Sequence, residues 1–368
     1  MNTPTTQRLR TIWLNEAHTI QVIDQRHLPH QMLVRDLTTT AEVVEAIKSM
    51  TVRGAPLIGA TAALGLYLAA QEAAKAPDPE VYFATQVEAL RQSRPTAVNL
   101  FWAIDRQLKG LQGLTAWADK ATQLLQGALA IIEEDVEICR RIGAYGLPLL
   151  ESIAKQKPQG QPVNILTHCN AGFLGCIEWG TATSPIYQAH QQGMPVHVWV
   201  DETRPRNQGA NLTAWELSQA GVPHTLVVDN TGGHLMQHGL VDLAIVGTDR
   251  TTRQGDVANK IGTYLKALAA FDNQIPFYVA LPSTSIDWNI RDGIREIPIE
   301  ERNQDEVKWV QGWDGQQLTQ VLITPSTTKA ANFGFDVTPA RLISGLITER
   351  GICQANEEAM LTLFPEMR

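Results

Sequence analysis

Short runs of apolar and β-branched residues recur through the second half of the chain, each followed by a helix-like segment. They begin about 20–35 residues apart and read VNILTHC (163–169), VHVWVDE (196–202), HTLVVDN (224–230), LAIVGTD (243–249) and PFYVALP (276–282). Strands that alternate with helices pair in parallel, and continuous apolar runs are typical of sheets covered on both faces. The pattern predicts an α/β fold with a doubly wound parallel sheet, which QVLITPS (320–326) would extend.

The first third of the chain is mostly helical by its periodicity. Short extended segments at 20–24 and 32–36 come before apolar residues spaced three and four apart. These predict helices at 40–50, 55–75, 78–93, 96–111 and 115–155. A chain of 368 residues exceeds one typical core. We therefore expect a mainly helical domain over residues 1–140 and an α/β domain over residues 141–368. A last helix is predicted from Thr338 to Gly351, with Pro339 at its first position.

The composition narrows the possible partners. A formal net charge of −8 argues against non-specific nucleic-acid binding, which needs a basic surface. No apolar segment reaches the 18 or so residues of a membrane helix, and no secretory signal is recognisable. The four cysteines form no CxxC pair, which favours free thiols in a reducing compartment. We therefore predict a cytoplasmic protein with neither a membrane nor a nucleic acid as partner.

Polar residues follow several of the predicted strands. Ligands of open α/β sheets bind beyond the carboxyl ends of the strands, so these positions carry the most information. They are His168, Cys169 and Asn170, then Asp201 and Glu202, Asp229, and Asp249 and Arg250. Two simpler interpretations stay open from pattern alone. Cys169 could be a small core residue, and Asp249 could pair with Arg250 on the surface.

Three cations stand at predicted helix starts, where positive charge is disfavoured by the helix dipole. Arg53 precedes an Ala- and Gly-rich helix, Arg94 precedes Pro95, and Lys260 lies in the first turn predicted after Gly255. Each alone could be a solvated side chain. Together they favour a bound phosphate, held by cations and by helix N–H groups. The chain has no GxxxxGK[ST] or GxGxxG, so the common nucleotide-binding modes are not expected.

No cofactor or metal is predicted. His234 and His238 have the spacing of two ligands on a helix. The glutamate of HExxH is absent and no third ligand is evident, so a metal site is disfavoured. The absence of GxSxG leaves no motif for serine hydrolase chemistry.

Eight ordered motifs resemble those of the methylthioribose-1-phosphate isomerases, which belong to the family that includes the regulatory subunits of translation initiation factor 2B. The resemblance covers nearly the whole chain. The motifs are VRGAPLIG (52–59), SRPTAVNLFWA (93–103), THCNAG (167–172), DETRPRNQGANLTAWEL (201–217), VGTDRTTRQGDVANKIGTY (246–264), PFYVALPSTSID (276–287), IPIEER (297–302) and FDVTPARLISGLITERG (335–351).

The resemblance implies a helical N-terminal domain, a Rossmann-like domain, and a homodimer that uses neither metal nor nucleotide. It implies interconversion of 5-methylthioribose 1-phosphate and 5-methylthioribulose 1-phosphate, with Cys169 and Asp249 as the catalytic pair. We expect Asp249 to act as a general acid whose pKa is raised by an apolar pocket. The substrate would be held by Arg53, Gly54, Ala55, Arg94, Gln208, Asn259 and Lys260.

The chain departs from the family pattern at several positions near these motifs. Phe173 and Cys176 replace smaller residues, Trp179 follows nearby, and Asn211 stands where arginine is usual. These changes concern the expected pocket wall. Two alternatives therefore remain: an isomerase of ribose 1,5-bisphosphate, which would need further cations, and a non-catalytic regulatory subunit. A Cys169–Cys176 redox pair is also compatible with the spacing, although Cys176 is more simply explained as a packing residue.

Overall fold

The computed structural model describes residues 9–94 and 97–368. The N-terminal part is a small antiparallel sheet followed by helices. The sheet contains β1 (Ile12–Leu14), β2 (Ile20–Ile23) and β3 (Val34–Leu37). The helices are α1 (Thr40–Lys48), α2 (Ala55–Ala73), α3 (Pro79–Arg91), α4 (Val98–Lys109) and α5 (Trp117–Ala154). The five predicted helices are confirmed, each end within two residues. Pro95, expected at the start of the fourth, lies outside the described residues.

Helix α2 is the centre of this part and is buried on nearly every side. Its alanines and glycines allow neighbouring helices to approach closely. A Cβ atom at Gly59 would lie 2.9 Å from the carbonyl oxygen of Asn99 on α4, and one at Gly65 would lie 2.8 Å from Val43 on α1. The small residues therefore fix the position of α2, and with it the loop that precedes the helix.

The second part is built on a seven-stranded sheet. The strands of this part are β4 (Val163–His168), β5 (Val196–Asp201), β6 (His224–Val227), β7 (Leu243–Val246), β8 (Arg250–Thr252), β9 (Val257–Lys260), β10 (Phe277–Ala280), β11 (Ile286–Asp287), β12 (Trp309–Trp313), β13 (Leu318–Leu322), β14 (Phe335–Thr338), β15 (Gly345–Thr348) and β16 (Gly351–Cys353). Its helices are α6 (Ser184–Gln191), α7 (Ala214–Gln219), α8 (Thr231–Gln237), α9 (Thr263–Asp272), α10 (Gly293–Glu296), α11 (Asp305–Lys308) and α12 (Glu357–Leu363).

The strand order of the large sheet is β16-β15-β10-β7-β4-β5-β6. All neighbours are parallel except β15 and β16. Counted from β4, the six parallel strands have the order 3-2-1-4-5-6 of the Rossmann fold, so the predicted fold class is confirmed. The chain leaves β4 toward one side of the sheet, and β7 lies on the other. The ends of β4 and β7 therefore border the crevice where such sheets bind ligands.

Side chains of the central strands alternate between two buried cores. Ile165 and Ile245 face the core that contains the end of α5 and α6. Leu166 and Val246 face the core that contains α8 and α9. Both faces are covered, which explains why these strands are apolar without interruption. The polar residues just beyond them are therefore set apart from the cores.

Two elements of the sequence prediction are wrong. Only residues 320–322 of the run at 320–326 lie in a strand, β13, which pairs only with β12 in a hairpin, and β15 occupies the sheet position beside β10. The predicted helix from Thr338 to Gly351 is instead the end of β14, a short turn and β15. Leu342, Ile343, Leu346 and Ile347 are all buried. Their spacing suits a helix face, but it also suits a strand buried on both sides.

Helix α5 spans both parts of the molecule. Ile131 and Ile132 pack in the core around α2, whereas Ile142 and Leu150 pack against the large sheet. The boundary predicted between residues 140 and 141 falls inside this continuous helix. It stays a prediction, and it lies where the helix changes from one core to the other. Among the residues that the structure describes, no helix combines the length and apolar character needed to cross a membrane.

Candidate active site

One pocket lies at the crevice of the large sheet, between the ends of β4 and β7, strand β9 and the start of α2. All nine residues singled out from the sequence line it. They are Arg53, Gly54, Ala55, Arg94, Cys169, Gln208, Asp249, Asn259 and Lys260. The tertiary structure therefore brings together residues separated by up to 207 positions, from Arg53 to Lys260. Their individual roles stay a prediction.

Cys169 is the first residue after β4 and has an unusual backbone. Its φ angle is +62°, a left-handed conformation that costs energy in a residue with a side chain. Its carbonyl oxygen accepts a hydrogen bond from Thr213 Oγ1 at 2.6 Å. Burial raises the pKa of the thiol, and the charges of Arg53 and Lys260 oppose the rise. The pocket thus presents a protonated thiol at neutral pH, on a backbone that its neighbours hold in place.

Asp249 follows β7 and is tied to a four-stranded sheet of order β11-β8-β9-β14, which we call the second sheet. Its backbone N–H donates to the carbonyl of Ala258 at 3.0 Å, as does Thr248 Oγ1 at 3.0 Å. Burial raises the pKa of the carboxyl, whereas Lys260 and Arg94 act to lower it. The direction is the one expected for a carboxylic acid that keeps a proton closer to neutrality.

Arg250, which could have been a surface partner of Asp249, forms an ion pair with Asp287 at 3.8 Å. The ion pair forms because Arg250 lies in β8 and Asp287 in β11, which are neighbouring strands of the second sheet. The surface-pair interpretation of Asp249 therefore lacks support.

The three cations reach the pocket from three elements. Arg53 precedes α2 as predicted, and Arg94 precedes α4 by four residues. Lys260 is the last residue of β9, not part of a helix, so its predicted placement is wrong. Helix α9 starts only at Thr263, because Gly262 in the left-handed region separates it from the strand. The ammonium of Lys260 lies 4.8 Å from the ring centre of Phe335, and burial lowers its pKa.

Close backbone contact shapes the wall beside Arg53. Gly54 has a φ angle of +89°, and a Cβ atom there would lie 2.3 Å from the carbonyl oxygen of Gly175. Only glycine satisfies both conditions. The backbone N–H of Ala55, the first residue of α2, consequently borders the pocket with no side chain from position 54 in between.

Gln208 and Asn259 contribute amide groups. Gln208 directly precedes a π-helical turn, Gly209–Thr213, of a kind often found at functional sites. Its Oε1 is buried and has no hydrogen-bond partner among the residues that the structure describes. Asn259 donates through Nδ2 to Thr263 Oγ1 at 3.0 Å, which leaves its Oδ1 as an acceptor. A ligand with hydroxyl groups would satisfy such atoms.

The departures from the family pattern lie mostly outside this pocket. Phe173 packs on Trp215, with ring centres 6.2 Å apart, and borders a separate cavity with Trp179. Asn211 borders a larger cavity next to the pocket. The expectation that Phe173 forms the wall around the substrate is therefore wrong. Phe173 is the first residue of a short turn, Phe173–Gly175, and its side chain packs with Leu174 in a small apolar core.

Cys176 does border the pocket, but its thiol partner is Cys139 of α5. Their sulfur atoms lie within 4.8 Å of one another and of an Asp135 oxygen, and Cys139 Sγ donates to Asp135 Oδ1 at 3.9 Å. The Cys176 thiol, burial and Asp135 raise the pKa of Cys139. The Cys139 thiol acts to lower the pKa of Cys176, but burial and Asp135 raise it overall. The considered Cys169–Cys176 redox pair therefore has no structural support.

Sequence reasoning missed the residues that support the pocket from behind. Glu216 is fully buried beneath Asn170, and its Oε1 accepts a hydrogen bond from Asn170 Nδ2. The signal was available, since a glutamate within the apolar stretch LTAWEL is rarely buried without a partner. His168 is engaged by Asp201 at 2.7 Å and by the carbonyl of Ile261 at 2.9 Å. It therefore links β4 to β5 and to the turn before α9.

The sequence matches the initiation factor 2 subunit family over residues 51–355. It is 56% identical over 362 residues to the methylthioribose-1-phosphate isomerase of Desulfosudis oleivorans, and the match covers 98% of each chain.

Two solved structures share the fold over nearly their full length. The 5-methylthioribose 1-phosphate isomerase of Pyrococcus horikoshii superposes with a TM-score of 0.83 at 40% identity, covering 99% of each chain. The translation initiation factor 2B subunit delta of A. fulgidus superposes with a TM-score of 0.79 at 36% identity, covering 97% of this chain and 99% of its own.

Proposed function

The chain belongs to the initiation factor 2 subunit family, and from this premise and its relatives we infer that it interconverts 5-methylthioribose 1-phosphate and 5-methylthioribulose 1-phosphate. It is an aldose–ketose isomerase of methionine salvage. The observation that carries the residue assignment is the placement of Cys169 and Asp249. They follow the two strands that border the sheet crevice, and three cations face the same pocket.

The substrate needs an acid because its anomeric oxygen carries the phosphate. A free hemiacetal opens easily, but this ring opens only if its ring oxygen is protonated as the bond to C1 breaks. We assign this step to Asp249. Burial raises the pKa of its carboxyl and so keeps a larger share protonated near neutrality.

Hydrogen then moves from C2 to C1 by one of two routes. In the first route a base removes the C2 proton and C1 is protonated through an enolate-like intermediate; in the second, hydride shifts directly. Cys169 serves as the base in the first route and steadies charge near C1 and C2 in the second. Its raised pKa makes a preformed thiolate scarce. Isomerisation in deuterated water distinguishes the routes, because solvent deuterium at C1 of the product excludes a purely direct shift.

Binding energy from the phosphate orients the reacting carbons. We assign the phosphate to Arg53, Arg94 and Lys260 together with the backbone N–H of Ala55 at the start of α2. Gln208 and Asn259 are assigned to the sugar hydroxyls. These contacts lie away from C1 and C2, and they lower the barrier by fixing the reactive geometry.

The test is a comparison of two substrates. The protein is mixed with 5-methylthioribose 1-phosphate and, separately, with ribose 1,5-bisphosphate, and ketose formation is followed. We expect turnover of the first and little of the second. Preference for the bisphosphate would replace the proposed substrate, and no turnover of either would favour a regulatory subunit.

We also propose that the protein works as a homodimer in the cytoplasm. The edge strand β6 supports the dimer, because Leu226 and the following Val228 are 46% and 71% exposed. Apolar residues at an open sheet edge are normally covered in an assembly. Light scattering coupled to size exclusion measures the mass, and a value near 40.5 kDa would contradict the dimer.

A further inference from the structure

Glu216 on α7 is a fully buried carboxyl that lies behind the pocket. Its Oε1 accepts from Asn170 Nδ2, and its Oε2 accepts from the backbone N–H of Phe173 at 2.7 Å. Tyr187 also acts on this carboxyl and lowers its pKa. We propose that Glu216 is a positioning residue that, through Asn170, holds Arg53 and the strand end at Cys169 in their working arrangement. This inference rests on the proposed function, because it assigns Arg53 to the substrate phosphate.

Asn170 is the link between Glu216 and Arg53. Its Oδ1 accepts from Arg53 Nη1, and its backbone carbonyl accepts from Arg53 Nη2 at 2.8 Å. Both acceptors face the guanidinium, so the amide nitrogen points the opposite way, toward Glu216. The carboxyl thus fixes which way the amide is turned. Without that acceptor, the amide nitrogen keeps only Thr213 Oγ1 as a partner, so the orientation that Arg53 requires is less strongly favoured.

A second branch of the same network reaches Cys169. Asn170 Nδ2 also donates to Thr213 Oγ1 at 3.1 Å, and that hydroxyl donates to the carbonyl of Cys169 at 2.6 Å. Thr213 and Glu216 are three residues apart and share one helix face. This face therefore supports both the left-handed backbone of Cys169 and the side chain of Asn170.

The loop after Cys169 closes tightly on the carboxyl. A Cβ atom at Gly172 would lie 1.6 Å from Glu216 Oε1, so the loop follows this path only with glycine at that position. The close approach lets the N–H of Phe173 reach Oε2. The path of the loop and the position of the carboxyl therefore depend on each other.

The charge state of Glu216 follows from its surroundings. Burial raises its pKa to about 7, while Asn170, Phe173, Tyr187 and Arg53 act to lower it. Cys176 faces it from the pocket side, and His190 of α6 and Glu178 border the cavity on its other side. The ionised carboxylate accepts a hydrogen bond from each of its donors. When it is protonated, one of its oxygens becomes an O–H donor and no longer accepts in the same way. Acidification from pH 8 to pH 6 should therefore loosen the hold on Arg53.

The experiment replaces Glu216 with glutamine, which keeps the shape and removes the charge. We expect E216Q to raise KM about tenfold, which corresponds to about 1.4 kcal/mol, with a smaller change in kcat. The KM of the wild type should rise toward pH 6 more than that of E216Q, in which the titrating group is gone. An unchanged KM, or the same pH profile in both proteins, would overturn the proposal.

D135N is the matched control. Asp135 is also buried with its pKa raised to about 7, but its hydrogen bonds go to Ile177 and Cys139. It should change thermal stability without changing KM. A KM effect as large in D135N would show that loss of a buried carboxyl is enough, and the proposal would fail. If E216Q does not fold, Y187F replaces it. Loss of that hydroxyl should raise the pKa of Glu216 and move the rise in KM to higher pH.

Calorimetry with inorganic phosphate separates this inference from the proposed function. E216Q should bind phosphate about tenfold more weakly than the wild type, whether or not the protein isomerises the expected sugar. Equal affinities would overturn the role of Glu216 and leave the isomerase assignment intact. A wild-type protein that isomerises the sugar but does not bind inorganic phosphate would also overturn the role of Glu216.

Discussion

The backbone N–H of Asp249 donates to the carbonyl of Ala258 at 3.0 Å. This bond joins the end of β7 to β9, immediately before Asn259 and Lys260. The carboxyl, an amide and an ammonium therefore enter the pocket from one small sheet, opposite the thiol that follows β4. Rigid strands on both sides suit a reaction in which an acid and a second group act on adjacent atoms.

Replacing Asp249 with asparagine should remove the general acid and preserve the shape of the pocket. We expect kcat to fall by about 10²–10⁴-fold with KM changed little. Steady-state kinetics with 5-methylthioribose 1-phosphate measure both constants. Near-normal kcat would exclude Asp249 as the acid.

The same substitution should stabilise the protein at neutral pH. The folded-state pKa of Asp249 lies above its unfolded value, so its contribution to stability is present at low pH and is lost as pH rises through the folded pKa. Asparagine carries no such penalty. Denaturant unfolding at pH 5 and pH 8 should show a gain for D249N that is larger at pH 8. A loss that grows with pH would contradict the sign.

Replacing Cys169 with serine should abolish turnover while substrate still binds. The hydroxyl keeps the size of the thiol but is far less acidic and less polarisable. Calorimetry measures binding, and ketose formation measures turnover. C176S is the control, because Cys176 borders the pocket but its thiol faces Cys139. Turnover by C169S close to the wild-type rate would remove Cys169 from the mechanism.

Replacing Arg94 with alanine should raise KM strongly, by about 100-fold for loss of a charge-assisted phosphate contact. Arg94 is partly buried, and burial lowers its pKa, so the cation is costly unless an anion is bound. Initial rates over a range of substrate concentrations give the change.

R91A provides the comparison, because Arg91 forms an ion pair with Asp105 on the surface just before Arg94. It should leave KM unchanged. Equal KM values for R94A and the wild type would remove Arg94 from the phosphate site.

Replacing Gly54 with alanine should be far more damaging than the same change at Gly113. The two glycines have φ angles of +89° and +84°, so the backbone cost is similar, about 1–2 kcal/mol. Only Gly54 meets another chain segment, at 2.3 Å from Gly175, which adds about 1–3 kcal/mol. Chemical denaturation of both variants gives the difference. Equal losses would show that the contact with Gly175 relaxes at no cost.

Local patterns were sufficient for most of the elements and for the position of the site. The helices from α1 to α5 repeat their apolar residues at helical spacing, and the parallel strands are short apolar runs between helices. Polar residues at strand ends pointed to Cys169 and Asp249. The elements are predicted correctly because periodicity is a property of neighbouring residues, whereas the roles of Cys169 and Asp249 stay a prediction.

Segments with several structural solutions needed the tertiary structure. Leu342 to Ile347 satisfies a helix and a doubly buried strand equally, and β10 decides between them by offering an open edge. The partner of Cys176 is Cys139 from a distant helix, and Glu216 gains its significance only from Asn170 and Arg53. The sequence by itself determined the α/β class and predicted which residues carry chemistry. Only the tertiary structure decided what each of them touches, because contacts between distant segments depend on how whole elements pack, not on local spacing.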